Sequence, residues 1–556
     1  MTSVGNGHNA SRAKELRCQL LVFGGGLGGV SATRTAVALG IDVILVEELD
    51  WLGGQLTAQG VPLDEGPWIE TGMRSRSYGQ FRERLRDYYR RHYPLSGAAR
   101  ACIELNPGMG NVGSLCVEPT VAVRVIDDLL APYVSGGRVS VLRRHRLVSA
   151  ARDRDRVLGL ELQRLEDGTT LFVAADLVVD ASETGELLAA ADVEHVFGAE
   201  SQSTTGEPHA IAGAADPFDQ QALTWCMALD YRPGEDHTID RPDDYALHRT
   251  LRIDGWPGPQ FSWVVSDHVT HRPLTRQLFA GDTDEAYLFD LWHARRIAWR
   301  RNFEPGVYAS DITVANWPQM DYWRRPVIGV APQEAAAALR EARQFSLAFL
   351  YWMQTEAPRH DGGIGYRGLR LRGDVLGTAD GLAKQVYYRE GRRIQAEFTI
   401  LEQHVGVQAR AGLSAAESFA DSVGIGAYRI DLHPSTRGRD TVDIDSYPFE
   451  IPLGALLPVR VDNLLPACKN IGTTRITSGA YRVHPVEWSI GEAVGALAAF
   501  ALRQGIPPRG VRASGERLTD FQALLSDLGV PLRWPVYGAL TPRTRRGYRP
   551  PRTEAG

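Results

Sequence analysis

Three glycines spaced Gly24-x-Gly26-x-x-Gly29 close a short apolar run, Leu20 to Phe23, and an acid, Glu47, stands 18 residues beyond the last of them. That spacing suits a dinucleotide. Gly24 permits a tight turn, Gly26 lets the backbone approach a pyrophosphate, and Gly29 lets the next helix lie against the strand. The N-terminus of the helix that follows offers unpaired N–H groups and a positive dipole end to phosphates. Glu47, with Glu48 beside it, can accept hydrogen bonds from a ribose 2′-hydroxyl, and a carboxylate there argues against a 2′-phosphate. A second glycine pair, in Leu52-Gly53-Gly54-Gln55-Leu56, suits a loop that passes closely over a ligand. A third segment, Asp180-Ala181-Ser182-Glu183-Thr184-Gly185, ends an apolar strand in an acid and a small-residue loop. It reads as another pass near the same ligand.

A βαβ unit must position these residues. The sequence predicts a strand over Leu20 to Phe23, a helix over Val30 to Leu39 and a strand over Asp42 to Val46. Arg74 to Arg91 carries Phe81, Leu85, Tyr88 and Tyr89 at helical spacing and reads as a surface helix. Val117 to Pro132 reads as another helix. Arg138 to Leu142, Leu147 to Ala150, Val157 to Leu162 and Leu171 to Ala174 read as a small antiparallel sheet, with Ala175 to Asp180 a separate strand. Residues 200–365 are irregular and rich in tryptophan (Trp225, Trp263, Trp292, Trp299, Trp317, Trp323, Trp352), which suits a substrate or cap domain whose tryptophans mostly pack. Tyr387 to Gln403 reads as a helix. Tyr428 to Leu432, Ile451 to Leu456 and Val461 to Ala467 read as strands, and Pro485 to Arg503 as a helix that buries the apolar run Ala493 to Leu502.

Composition narrows the function. A length of 556 residues gives core enough for three or four domains. A net charge of −6 does not suit a nucleic-acid surface, and no apolar stretch approaches the length that spans a bilayer. Residues Met1 to Arg17 lack the apolar centre of a signal peptide. The five cysteines, Cys18, Cys102, Cys116, Cys226 and Cys468, are scattered without a CxxC pair, so reduced thiols in the cytoplasm are expected, with no metal site. Only Lys14, Lys384 and Lys469 are lysines, which draws notice to each. The Arg- and Pro-rich end, Thr541 to Gly556, reads as a loose tail.

Taken in order, the motifs resemble those of the FAD-dependent oxidoreductases related to the flavin subunit of heterodisulfide reductase, within the two-dinucleotide-fold flavoproteins. The residues that carry the resemblance are Gly24 to Gly29, Leu52 to Leu56, Val179 to Gly185, Tyr388-Arg389-Glu390-Gly391-Arg392-Arg393-Ile394, Asp421-Ser422-Val423-Gly424, Asp462 to Gly472 and Tyr481 to Gly495. Two segments depart from the common family pattern: Ala467-Cys468-Lys469 replaces Ala-Gly-Arg, and Ala181-Ser182-Glu183-Thr184-Gly185 replaces Ala-Thr-Gly-Asp-Gly.

The resemblance implies an α/β fold: a Rossmann-like FAD-binding domain with an inserted substrate or cap domain of mixed β-sheet and helices. The expected division gives residues 17–60, 115–199 and 366–510 to FAD binding, 61–114 and 200–365 to the substrate or cap part, and 511–556 to a C-terminal extension. It implies bound FAD held by Gly24, Gly26, Leu27, Gly28, Gly29, Glu47, Glu48, Gly53, Gly54, Gln55, Leu56, Asp180, Ala181 and Ser182. Lys469, Asn470, Pro485 and Glu487 would lie by the flavin, where a helix start stabilises negative charge on the reduced ring; Arg475 and Arg482 could add to that.

With one GxGxxG and no CxxC, the simplest chemistry is oxidation of a small organic substrate by hydride transfer to flavin N5, with reoxidation by O2 or an electron-transfer partner. A flavin-binding electron-transfer subunit and a flavin monooxygenase are the alternatives. For proton transfer His484 is favoured, because imidazole titrates near neutrality, with Tyr481 and Glu487 next. His209, His360, His404 and His433 read as structural, and Cys468 as a packed, inert thiol. The partner expected is a small-molecule substrate, not nucleic acid or membrane; the oligomeric state is open.

Overall fold

The computed structural model describes residues 14–66, 68–71, 73–253, 255–280 and 290–534. The expected tail, Thr541 to Gly556, and residues 1–13 lie outside them. The principal elements are β1 (Lys14–Phe23), α1 (Leu27–Ala38), β2 (Val43–Glu47), α2 (Arg76–His92), α3 (Pro119–Ser135), β3 (Val139–Arg143), β4 (His145–Asp153), β5 (Arg156–Arg164) and β6 (Thr170–Asp180). There follow β7 (Met227–Tyr231), β8 (Arg296–Ala298), β9 (Ile312–Ala315), α4 (Pro332–Thr355), β10 (Leu369–Leu371), β11 (Leu464–Pro466), α5 (Arg475–Tyr481) and α6 (His484–Gln504).

One sheet carries the glycine turn. Its order is β3-β2-β1-β6-β5-β4, with β11 also on β6. Strands β1, β2, β3, β6 and β11 run parallel. Leu20, Leu21 and Val22 are fully buried, as a parallel strand covered on both faces requires. The register aligns the strand ends: Phe23 pairs with Val46 and Asp180, and Asp180 with Pro466. Gly24, Glu47, Ala181 and Ala467 therefore meet at the carboxyl edge of the sheet, where open α/β sheets bind ligands.

The small antiparallel sheet expected from the sequence needs correction. Val139–Arg143 pairs parallel with β2, and Leu171 to Ala174 belong to the same eleven-residue strand as Asp176 to Asp180. The first half of β6 pairs antiparallel with β5 while its whole length pairs with β1. One strand thus serves three partners, β1, β5 and β11, a pairing that local alternation does not reveal.

A second, antiparallel sheet, β8-β9-β7-β10, lies within the inserted region. Helix α4 packs Phe345, Phe349 and Trp352 into one core with Trp263, Trp292 and Trp317, so these tryptophans are packing residues, as expected.

Two helical expectations fare differently. Helix α2 forms, but it is not simply a surface helix. Phe81, Leu85 and Tyr89 are buried, and so are Arg82 and Arg86. Arg82 Nε lies 2.9 Å from Glu65 Oε1 and its Nη1 2.8 Å from Glu70 Oε2, so the buried charge is paired. The helix expected over Tyr387 to Gln403 is absent. Tyr387 N–H donates to Thr224 C=O, Ile394 N–H to Asn470 C=O and Ile400 N–H to Gly472 C=O. The segment spends its backbone donors on distant loops, and tertiary partners override its helix-favouring composition.

Helices α1 and α6 cross at bare backbone. A Cβ on Gly491 would lie 2.0 Å from Gly28 O and one on Gly495 2.3 Å from Ala32 O; beside the crossing, one on Gly28 would lie 1.6 Å from the carbonyl of Ala467, just past β11. Ser31 Oγ closes the crossing with a 2.9 Å hydrogen bond to Trp488 C=O. This approach brings the first turn of α6 against the start of α1.

Candidate functional site

The glycine turn is built as its spacing requires. Gly24 has φ +105°, and a Cβ there would lie 2.3 Å from the Ala181 carbonyl. Gly26 caps α1 without any side-chain hydrogen bond, so the helix start is open to a ligand. Gly53 has φ +110°, and its N–H donates to Gly25 C=O at 2.7 Å. This bond ties the second glycine loop to the first, and a Cβ on Gly54 would stand 2.9 Å from Gly26 Cα.

Glu47 accepts the Gly25 N–H at 2.7 Å on one oxygen and the Leu49 N–H at 2.9 Å on the other. Burial pushes its pKa up to about 7, with the two N–H donors opposing. Glu47, Glu48, Gly24, Gly54, Ala181 and Ser182 line one cleft. Leu27, Gly28, Gly29 and Leu56 are buried behind it.

The rest of the expected ligand-binding set divides by role. Asp180 uses both carboxylate oxygens on its own loop, accepting Ser182 N–H at 2.9 Å, Ser182 Oγ–H at 2.7 Å and Leu188 N–H at 3.2 Å. It shapes the loop, and its side chain is spent there. Asn470 Nδ2 donates to Asp180 C=O at 2.9 Å and so joins that loop to β11. Gln55 Nε2 donates to Arg482 C=O at 3.0 Å. Pro485 lines a different cleft, with Gly66, Trp68, Ser489 and Trp534.

Lys469 Nζ bonds Glu183 and lies 3.8 Å from Glu487 Oε1. Glu183 Oε1 is buried without a hydrogen-bond partner, and a Cβ built on Gly54 would lie 2.6 Å from it. An uncapped helix start, bare glycines and a buried ammonium thus surround one carboxylate oxygen that has no donor. The glycines and the N–H groups at the start of α1 fit a pyrophosphate, supplying room and donors, while the charge of Lys469 is already matched by Glu183.

The three residues expected to move protons do not converge. Tyr481 donates to Glu450 C=O at 2.9 Å and stacks on Phe449. His484 is fully buried; Nδ1 accepts Asp64 N–H at 3.1 Å and Nε2 faces Val61 C=O at 3.2 Å. Burial holds it neutral, with a pKa down to about 3, and both nitrogens are occupied by backbone. Glu487 sits with Lys469 and Cys468, its pKa pushed up to about 7 by burial.

A second polar cluster, which the sequence reading did not assemble, lies where Arg482 joins α5 to α6. Arg389 Nη2 is 3.0 Å from Asp321 Oδ1, and the other Asp321 oxygen takes His433 Nδ1. Burial opposes ionisation of Asp321, but Arg389 and His433 outweigh it and hold the carboxyl below its ordinary value. His433 Nε2 faces Asp431 Oδ2 at 3.9 Å. Arg482 donates to Tyr387 Oη at 3.2 Å and to Asp431 C=O at 2.7 Å. Arg295 reaches Asp64 at 3.9 Å. The Nε atoms of Arg295, Arg389 and Arg482, together with Asp431 Oδ1, are buried and have no hydrogen-bond partner. Buried polar atoms are normally satisfied, and this cluster leaves three donors and one acceptor unused. His209 makes the same kind of pair outside this cluster, Nδ1 with Glu402 at 2.7 Å, while His404 Nδ1 accepts Leu401 N–H at 3.0 Å. The only local signal was Arg389 and Arg482 within the quoted motifs; the other members come from separate stretches of the chain around Asp64, Arg295, Asp321 and Asp431.

Among the described residues no helix is long and apolar enough to cross a membrane. No curated protein matches the chain. Solved structures align at low identity. A geranylgeranyl bacteriochlorophyll reductase-like protein from Thermoplasma acidophilum is 9% identical over 92% of this chain and 84% of its own, with a TM-score of 0.33. The p-nitrophenol 4-monooxygenase of Pseudomonas putida is 10% identical over 93% and 87%, with a TM-score of 0.33. A myxobacterial FAD-dependent chondrochloren halogenase is 18% identical over 40% of this chain, with a TM-score of 0.22, and the match spans 46% of that protein's length. The family model described as FAD dependent oxidoreductase matches residues 19–525. The protein that carries this glycine turn and its phosphate cradle belongs to the FAD dependent oxidoreductase family, and FAD is its cofactor.

Proposed function

We propose that the chain oxidises a small organic substrate held in the polar cluster around Arg482, with His433 as proton acceptor. FAD supplies the two-electron acceptor. The remaining tasks fall to side chains. Asp321 fixes the tautomer of His433 by taking its Nδ1–H, which leaves Nε2 to accept a substrate proton. Arg389 and Thr224 hold Asp321 in turn, Thr224 Oγ1 donating at 2.7 Å. His484 acts as a positioning residue through its bond to the backbone of Asp64. Glu47 and Lys469 stay with the adenosine and pyrophosphate end of the cofactor, and Glu487 beside them.

The observation that carries this reading is the set of buried, unpartnered polar atoms beside the start of α6, joined by Gln55 to the second glycine loop. The division into FAD-binding residues 17–60, 115–199 and 366–510 and substrate residues 61–114 and 200–365 is supported by β1 to β6 and β11 sharing one sheet while β7 to β9 lie in another, although β10 carries that second sheet past residue 365. Kinship with the heterodisulfide reductase flavin subunit rests on the quoted motifs, and a cytoplasmic setting on five unpaired cysteines.

The test is anaerobic titration of the purified yellow protein with a panel of alcohols, hydroxy acids, amines and sugars, following the visible flavin band. Bleaching by a member of the panel is the expected result. No bleaching by any of them, with FAD bound, would overturn the oxidation reading. Oxygen from labelled O2 in the product would turn it into a monooxygenation.

A further inference from the structure

Arg482 differs from the other two arginines of its cluster in making no close ion pair. Arg389 meets Asp321 at 3.0 Å and Arg295 meets Asp64 at 3.9 Å. Arg482 is only 4% exposed, and none of the described residues places a carboxylate within 4.0 Å of it. Its two bonds go to neutral oxygens, the Tyr387 phenol and the Asp431 carbonyl, and Nε has no partner. The Asp431 carboxylate is turned toward His433 instead. A buried guanidinium with no carboxylate in contact is costly, and a planar fork with an unused N–H matches a carboxylate.

We propose that Arg482 binds a carboxylate group of the substrate, so that the substrate class is a small organic acid. This rests on the reading of the Arg482 cluster as the substrate site. The neighbours favour a monoanion: Asp64 and Asp431 stand close enough to repel a second charge, which disfavours phosphate. The site also lies next to the cofactor loop, because the Arg482 carbonyl accepts from Gln55 and His484 begins α6 two residues on. A bound acid would therefore present its adjacent carbon between Arg482 and His433, at the edge of the loop Gly53 to Leu56.

The experiment is calorimetric titration of the FAD-loaded protein with glycolate, lactate and mandelate, each against its neutral amide, and with inorganic phosphate. The expected result is that at least one acid binds ten-fold or more tighter than its amide and tighter than phosphate. Arg482→Gln should abolish that preference with FAD content unchanged. Arg482→Lys, a milder change that keeps the charge but loses the planar fork, should weaken acid binding several-fold and keeps the test valid if Arg482→Gln does not fold. Equal binding of every acid and its amide, tighter binding of phosphate, or a preference that survives in both variants would overturn the proposal. Flavin bleaching is read separately. Acids that bind without bleaching uphold Arg482 while sinking the oxidation reading. Neutral compounds that bleach while acids bind no better than amides do the reverse.

Discussion

Asp321 holds His433 by its Nδ1 with one carboxylate oxygen and Arg389 at 3.0 Å with the other. The buried acid thereby links an inserted-region loop to the strand Ile430–Leu432 and the segment around Tyr387. Burial and the charge of Arg389 lower the His433 pKa below 6.5, while Asp321 and Asp431 oppose them. His268 faces the same ring, with centroids 6.3 Å apart.

The rate of substrate oxidation should therefore fall on acidification through a limb below pH 6.5, where His433 takes up a proton. Asp321→Asn removes a charge that favours protonated His433, so the limb should move to lower pH and the plateau should drop about ten-fold or more. The measurement is kcat/KM against pH for both proteins. An unmoved limb would separate His433 from the reaction.

Gly491→Ala places a methyl 2.0 Å from the Gly28 carbonyl, backbone against backbone. The α1–α6 crossing must open, at a cost of about 3 kcal/mol or more. Thermal unfolding of the cofactor-free protein should show a large drop in Tm, and FAD retention should fall with it. A variant with unchanged Tm and FAD content would mean that the two helices do not meet at bare backbone.

Glu47→Ala removes the acceptor for Gly25 N–H and Leu49 N–H at the rim of the nucleotide cleft. FAD affinity should fall ten- to a hundred-fold, about 1.4–2.8 kcal/mol, when followed by flavin fluorescence. The visible spectrum of the bound fraction should not change, since Glu47 belongs to the adenosine end. A shifted flavin band would place Glu47 by the ring instead.

Burial would raise Glu70, but hydrogen bonds and charge from Arg82 and Arg86 outweigh it and lower its pKa to about 2. A depressed carboxyl contributes stability that is present above its unfolded value of 4.5 and lost as pH falls through 2. Denaturant unfolding should show stability falling between those limits. In Glu70→Gln the slope should be flatter, from a lower starting stability. An equal slope in both proteins would remove Glu70 from the acid response.

What the sequence disclosed was local. Gly24, Gly26, Gly29 and Glu47 lie within one βαβ unit, so spacing alone gave their geometry. Gly53 and Asp180 ended recognisable runs, and the tryptophans announced a packed core. Tyr387 to Gln403 was misread because its Arg, Glu and Gln residues favour a helix, while its backbone pairs with Thr224, Asn470 and Gly472. Arg82 was hidden because a charged helix position reads as solvated until Glu65 and Glu70 close over it. The Asp321–His433 pair spans 112 positions and carries no periodicity, so a histidine in a loop looked like packing.

The decisive measurement is the anaerobic rate of flavin bleaching in the native protein and in His433→Asn, using the most reactive member of the substrate panel. With equal FAD content, the variant should bleach about a hundred-fold more slowly or less, as expected for loss of a general base. Equal rates in the two proteins would show that the proton leaves by another route, and the Arg482–His433 cluster would no longer be the reacting site.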